Sequence, residues 1–167
     1  MTKKDLLLTL LEESVEKCYK HDFTLIERSM EQASVARIFF YMQEALKYDE
    51  RFTLLSQYNL DSEYNKEGYS PKKTSRFKHG TRPDIILHNR FDQPQQSNLL
   101  ILEFKPKLQS GAIDIPKRDK EKLEDFTHRE CGFDYFLGVF IRLNEQKAEY
   151  RYFQNGCEVK KGDLHNG

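Results

Sequence analysis

A mixed α/β layer structure is the fold that this sequence of 167 residues predicts, on three observations. Apolar residues recur at helical spacing through roughly the first third of the chain. Short apolar runs bounded by turn residues follow, the clearest being Asn98-Leu99-Leu100-Ile101-Leu102-Glu103-Phe104-Lys105. A polar helical pattern then stands between strand patterns. Elements in such an order pack as layers around a core.

Leu6, Leu7, Leu10, Leu11 and Val15 predict a helix from Lys3 to about Lys20. Thr24 with Glu27 has the form of a capping box, and Met30, Val35, Ile38, Phe39, Met42 and Leu46 carry a second helix to about Tyr48. Leu- and Tyr-rich residues predict a strand from Phe52 to Tyr64. Residues 66 to 82, KEGYSPKKTSRFKHGTR, read as a loop in which six basic side chains face one acid, Glu67. A short strand follows at Asp84 to His88, then a loop from Asn89 to Ser97. The next strand, Asn98 to Lys105, is succeeded by a loop holding Gly111 and Pro116. A polar helix enters after that proline, as helix starts often do, and spans Lys117 to Glu130. Phe133 to Leu143 reads as an aromatic strand pairing with Lys147 to Phe153 across Asn144-Glu145-Gln146. From Cys157 onward the chain reads as a polar, frayed end. There is no repeat or linker, so residues 1–167 read as one domain with a core of about residues 24–153.

Composition narrows the function. Lys plus Arg and Asp plus Glu both number 27, so a basic surface can only be local. Cys18, Cys131 and Cys157 lie far apart, which suggests neither zinc site nor disulfide framework and fits a reduced, cytoplasmic setting. The apolar run near the start is broken by Thr9 and closed by Glu12 and Glu13, unlike a signal peptide. No segment approaches the roughly 20 apolar residues that span a bilayer, and no membrane association is expected. No phosphate-binding GxxxxGK loop and no nucleophile elbow occur. His21, His79, His128 and His165 are scattered, and His88 reads as a polar strand cap.

Glu103 and Lys105 are two residues apart on a strand and therefore share a face, while Phe104 points oppositely. The E-x-K triplet alone carries little, because Glu145-Gln146-Lys147 and Glu158-Val159-Lys160 repeat it. Only the first ends an apolar strand with an acid, Asp84, on a strand just upstream. Charged groups buried there are costly unless paired. A Glu103–Lys105 salt bridge in a plain structural domain is one solution. Convergence of Asp84 with Glu103 is the other: nearby carboxylates repel unless a divalent cation neutralises both. Oxygen ligands suit Mg²⁺ or Mn²⁺, which activate water near neutral pH, and an adjacent lysine stabilises developing phosphate charge.

The sequence Arg82-Pro83-Asp84-Ile85-Ile86-Leu87-His88, then Asn98 to Lys105, then Asp119-Lys120-Glu121-Lys122-Leu123, resembles small prokaryotic members of the PD-(D/E)xK nuclease superfamily. The resemblance implies a restriction-endonuclease-like mixed sheet flanked by helices, of core order α-β-β-β-α-β, with an extra N-terminal helix. It implies a nuclease dependent on Mg²⁺ or Mn²⁺ that hydrolyses phosphodiester bonds by water attack. Asp84 and Glu103 would be metal ligands, and Lys105 the catalytic lysine.

Such families often add a glutamate from the helix before the sheet. Glu27 and Glu31 lie one turn apart. Glu27 is also explained by its capping box, whereas Glu31 with Arg37 and Tyr41 fits the family-like E-x5-R-x3-Y, and is preferred as the third metal ligand. Glu63 is a further acid on the first strand. Lys72, Lys73, Arg76, Lys78 and Arg82, with Lys66, stand just ahead of Asp84 and suit phosphate binding, with Tyr69 and Phe77 to stack on bases. A solvated loop is the plainer account. Lys117, Arg118, Lys120 and Lys122 either add phosphate contacts or pair with acids along their helix. The expected partner is nucleic acid, DNA foremost. A homodimer stays open, as does a catalytically silent module of this fold that binds nucleic acid or a protein.

Overall fold

The computed structural model describes residues 1–64, 72–89, 98–107, 114–131 and 133–166, and the backbone alone at 66–67 and 70–71. Tyr69, Gly111, the Lys66 side chain and most of the expected loop at 89–97 lie outside the described residues.

Helix α1 (Lys3–His21) starts where the Thr2 hydroxyl accepts from the Asp5 N–H at 3.2 Å and the Asp5 carboxylate accepts from the Thr2 N–H at 3.0 Å, a reciprocal cap. Its leucine stripe, with Val15 and Cys18, is buried. The expected second helix is two. A short α2 (Phe23–Glu27) is closed by Ser29, whose φ is +55°, with the Met30 N–H donating to the Leu25 carbonyl at 2.8 Å. Helix α3 (Glu31–Tyr48) begins immediately after. Thr24 thus sits inside α2, and the Thr24–Glu27 capping box does not form.

The strand expected from Phe52 to Tyr64 is also shorter, β1 being Asn59–Ser62. Before it the chain coils through a 3₁₀ turn, Glu50–Phe52, where the Thr53 hydroxyl donates to the Glu50 carbonyl and the Ser56 hydroxyl to the Thr53 carbonyl, both at 2.8 Å. Such local side-chain bonds compete with strand pairing. They leave Phe52 and Leu55 buried and Leu54 exposed, a helical rather than an alternating spacing. A two-stranded ribbon, β2 (Lys66–Glu67) with β3 (Ser70–Pro71), interrupts the basic loop.

The main sheet has six strands in the order β1-β4-β5-β6-β7-β8, with β4 Ile85–His88, β5 Leu100–Pro106, β6 Leu137–Leu143, β7 Ala148–Gln154 and β8 Cys157–Val159. Its one parallel pair, β5 with β6, is joined through helix α4 (Lys117–Thr127), since parallel neighbours need a crossover. The expected strand from Phe133 begins only at Leu137. The expected frayed end is instead the edge strand β8: Asn155 and Gly156, at φ +51° and +78°, make the two-residue turn of a β7–β8 hairpin. Leu164 beyond it is buried in the core.

Leu100, Leu102 and Phe104 of β5 face α1 and α3, while Ile101 faces Leu123 and Phe126 of α4. Glu103 and Lys105 follow the parity of Ile101, so charge emerges where β5 leaves the α4-side core. Among the described residues, no helix is long and apolar enough to cross a membrane.

Helix α4 closes on β6 at Gly138, where a Cβ would lie 3.0 Å from Thr127 Cγ2 and 3.3 Å from Leu123 Cδ2 and Phe153 Cβ. Gly138→Ala is expected to destabilise the fold by about 1–3 kcal/mol through overpacking, read as a lower urea midpoint at unchanged m. An unchanged midpoint would show that α4 does not depend on this close approach.

Candidate functional site

Register builds the site. Strand β4 pairs Ile85 with Leu102 in antiparallel fashion, so one residue earlier Asp84 stands across from Glu103. Because β4 starts at Ile85, the Phe104 N–H meets no strand carbonyl there and donates to Asp84 Oδ2 at 2.7 Å. Lys105 Nζ, at the end of the same face, donates to its neighbour carbonyl on Phe104 at 3.0 Å and to Glu31 Oε1 at 3.3 Å, and lies 3.7 Å from Asp119 Oδ2. Glu103 pairs with a different lysine: Lys122 Nζ, on α4, is 2.7 Å from Glu103 Oε2 and 3.1 Å from the Arg82 carbonyl. Four carboxyl groups, Glu31, Asp84, Glu103 and Asp119, thus surround two ammonium groups. The Glu103–Lys105 salt bridge of a plain structural domain does not form.

The break at Ser29 places Glu31 in the first turn of α3, where the helix dipole favours negative charge. Glu27 is exposed on α2, away from the contacts of Lys105. Arg37 and Tyr41 are engaged elsewhere: Arg37 Nη2 donates to the Tyr41 hydroxyl at 3.0 Å, which donates to Asp22 Oδ2 at 2.5 Å. A cleft of about 470 Å³ opens beside Asp84, lined by Glu31, Gln32, Phe39, Ser62 and Glu63 among others. Glu63 itself is exposed at φ +49°.

Burial pushes the Glu103 carboxyl up to about 8, with Lys122 opposing and Asp84 and Asp119 reinforcing the shift. Burial also raises Asp84 against the pull of the Phe104 N–H, Lys122 and Lys105. For Lys105, burial disfavours the charge, but Asp119, Glu31 and Asp84 outweigh it and raise its pKa above the usual lysine value. Lys105 is therefore an ammonium at neutral pH, a donor and not a base. Glu103 Oε1 and Asp119 Oδ2 are buried without a hydrogen-bond partner among the described residues. Among those residues, no three acidic, histidine or cysteine side chains stand together as a ready ligand set for a metal ion.

The basic loop is divided. Lys72 departs from the expectation of a solvated phosphate contact: it is 3% exposed, with Nζ 3.4 Å from the Tyr135 hydroxyl and 4.9 Å above the Phe133 ring. Arg76 is paired with Glu124 at 2.8 Å and Asp125 at 3.3 Å. Lys73, Lys78 and Arg82 are exposed. On α4, Lys117 and Lys120 extend along Glu121 and Glu124, at 3.8 and 4.0 Å. Lys122 departs most from a surface role, being 5% exposed. His88, buried at the end of β4, has Nε2 2.8 Å from Asp61 Oδ2.

Asp119 and Lys122 belong to the third stretch that carries the resemblance, but sequence gives neither a place among the acids around Lys105. The signal was present: 119, 122, 123 and 126 form one helical stripe, and charged residues on the stripe that carries Leu123 and Phe126 must be buried with them.

No protein-family model matches the chain, and no curated protein matches it in sequence.

A carboxyl whose folded pKa is raised stabilises the fold fully below its unfolded pKa and loses that contribution as pH climbs through the folded one. For Glu103 the window runs from its ordinary 4.5 to about 8. In EDTA, the wild type should lose about 2–4 kcal/mol across this window relative to the Glu103→Gln, Lys122→Met double variant. Chemical denaturation at a series of pH values reads the difference. Parallel curves would show that Glu103 is not buried as described.

Proposed function

We propose that this chain is a metal-dependent nuclease of the PD-(D/E)xK superfamily, with a restriction-endonuclease-like fold, hydrolysing DNA phosphodiester bonds by water attack. The observation that carries the reading is the register that sets Asp84 across from Glu103 on adjacent strands, with Lys105 two residues further along the same face. The succession α3, β1, β4, β5, α4, β6 supports it, since it follows the α-β-β-β-α-β order of that fold, with α1 added in front.

The donor chemistry fits Mg²⁺ or Mn²⁺: hard carboxylate oxygens, one of which, Glu103 Oε1, is buried and unpartnered among the described residues. Asp84, Glu103 and Glu31 would hold the ion. Bound there, a divalent cation supplies Lewis acidity toward water and phosphate oxygen. The rest is the work of the side chains. The Phe104 N–H orients Asp84, and Glu31 holds Lys105 at the strand end. The Lys105 ammonium orients the attacking water or stabilises the negative charge that builds on the phosphate. Lys73, Lys78 and Arg82, exposed just ahead of Asp84, neutralise flanking backbone phosphates.

One observation favours a second reading, a catalytically silent module of the same fold: Glu103 is already neutralised by Lys122. Cleavage separates the two. Supercoiled plasmid and single-stranded DNA, incubated with Mn²⁺ or EDTA, should be nicked or degraded only with the metal. Lys105→Ala should fold normally and lower the rate by at least about a hundredfold. Cleavage retained by the variant would remove Lys105 from its role, and none by the wild type on either DNA would favour the silent module.

A further inference from the structure

Lys122 is buried deeper than a phosphate-binding lysine needs to be, and two of its three donors are accounted for, one by Glu103 Oε2 and one by the Arg82 carbonyl. It neutralises only one oxygen of Glu103. Among the described residues the other, Oε1, is buried without a hydrogen-bond partner, and so is Oδ2 of Asp119, which has only Lys105 Nζ at 3.7 Å and lies one helical turn before Lys122 on the same face of α4. One carboxylate oxygen of Glu103 without a hydrogen bond, and one of Asp119 reached only by Lys105 at 3.7 Å, describe a site with more acceptor capacity than its two ammonium groups use among the described residues. A desolvated acceptor left unmade is costly, and a monovalent ammonium cannot bridge acids that a divalent ion with six or more ligand positions can.

Resting on the nuclease reading above, we propose that Lys122 is a built-in counterion seated on Glu103 where the divalent cation binds, and that Asp119 is a ligand for the cation that displaces it. A cation at Oε1 and the ammonium at Oε2 would compete for the single charge of the Glu103 carboxylate. Glu103 and Asp119 would hold the ion, and Lys122 would loosen from Glu103 while the Arg82 carbonyl remains available to it. Asp119, whose charge already acts on both Glu103 and Lys105, would offer the oxygen that now makes no hydrogen bond among the described residues. Cation binding is an exchange, and its apparent affinity is lowered by the strength of the Glu103–Lys122 pair.

Mn²⁺ titration by calorimetry tests this without reference to cleavage. Lys122→Met should bind Mn²⁺ at least tenfold more tightly than the wild type, and Asp119→Asn at least tenfold more weakly. Lys120→Met, on the solvent side of the same helix, controls for bulk charge and should stay within twofold. Circular dichroism checks folding, and Lys122→Gln serves if the methionine variant does not fold. Unchanged or weaker binding by the Lys122 variants, or unchanged binding by Asp119→Asn, overturns the proposal. If the wild type binds Mn²⁺ and Glu103→Gln abolishes binding while the Lys122 variants match the wild type, this inference alone fails. If neither wild type nor variants bind at millimolar Mn²⁺, the inference and the metal-dependent reading fall together. The expected shifts in a protein that cuts no DNA would sustain the inference and remove the nuclease.

Discussion

The contact between Glu103 and Lys122, 2.7 Å long and almost wholly out of water, is the constraint around which the rest of the molecule is arranged. Glu103 sits in the middle of the central strand β5, which is flanked by β4 on one side and β6 on the other. A lone carboxylate there would be expelled or protonated. Lys122 reaches it from α4, which packs closely on β6 where Gly138 offers no side chain beneath Leu123 and Thr127. The parallel β5–β6 pair requires a crossover element at this place. Topology thus supplies the helix, a glycine sets its height, and the helix supplies the counter-charge.

The two lysines do different work although both stand among the same acids. Lys105 sits at the edge, half-exposed, within reach of Glu31 from one layer and Asp119 from the other. It links α3 to α4 around the end of the sheet and is held as an ammonium by the surrounding carboxyls. Lys122 lies inside and is spent on Glu103. The cleft beside Asp84 opens on the Glu31 side, and Lys105, partly exposed, pairs with that Glu31, whereas Lys122 is buried.

What the sequence disclosed depended on whether the deciding contact was local. The leucine stripe of α1 and the run from Leu99 to Phe104 were legible because periodicity alone determines which face is buried. Glu103, Lys105 and Asp84 were legible as a set, since parity within a strand and proximity of two strands are sequence properties. The break at Ser29 was not: no glycine or proline marks it, and a serine at φ +55° is held there by bonds around Leu25 and Ile26. Lys72 was misread because the rings that bury it, Phe133 and Tyr135, are far along the chain. Asn155-Gly156 has the form of a hairpin turn, but the polar residues beyond it give no apolar alternation to mark a strand. Lys122 lay between these cases, its stripe visible but its partner set by the crossover.

A purely structural account of the site leaves two facts without a cause. Buried ion pairs are poor stabilisers, and replacing one with apolar side chains of similar volume is often neutral or favourable by about 1–4 kcal/mol. Beside this pair, Glu103 Oε1 is a buried acceptor without a hydrogen bond among the described residues, at a cost of about 1–3 kcal/mol against a solvated state, and Asp119 Oδ2 is reached only by Lys105 at 3.7 Å. A fold stabilised elsewhere by two apolar cores gains nothing from holding acids in this condition. A site whose carboxyls are raised by burial and whose only internal cations are lysines is, by contrast, under standing electrostatic demand for further positive charge. On the nuclease proposal, a divalent ion would meet that demand and a phosphodiester would bring the negative charge to balance it. The proposed chemistry at Asp84, Glu103 and Lys105 would then give the buried acids a role that stability alone does not.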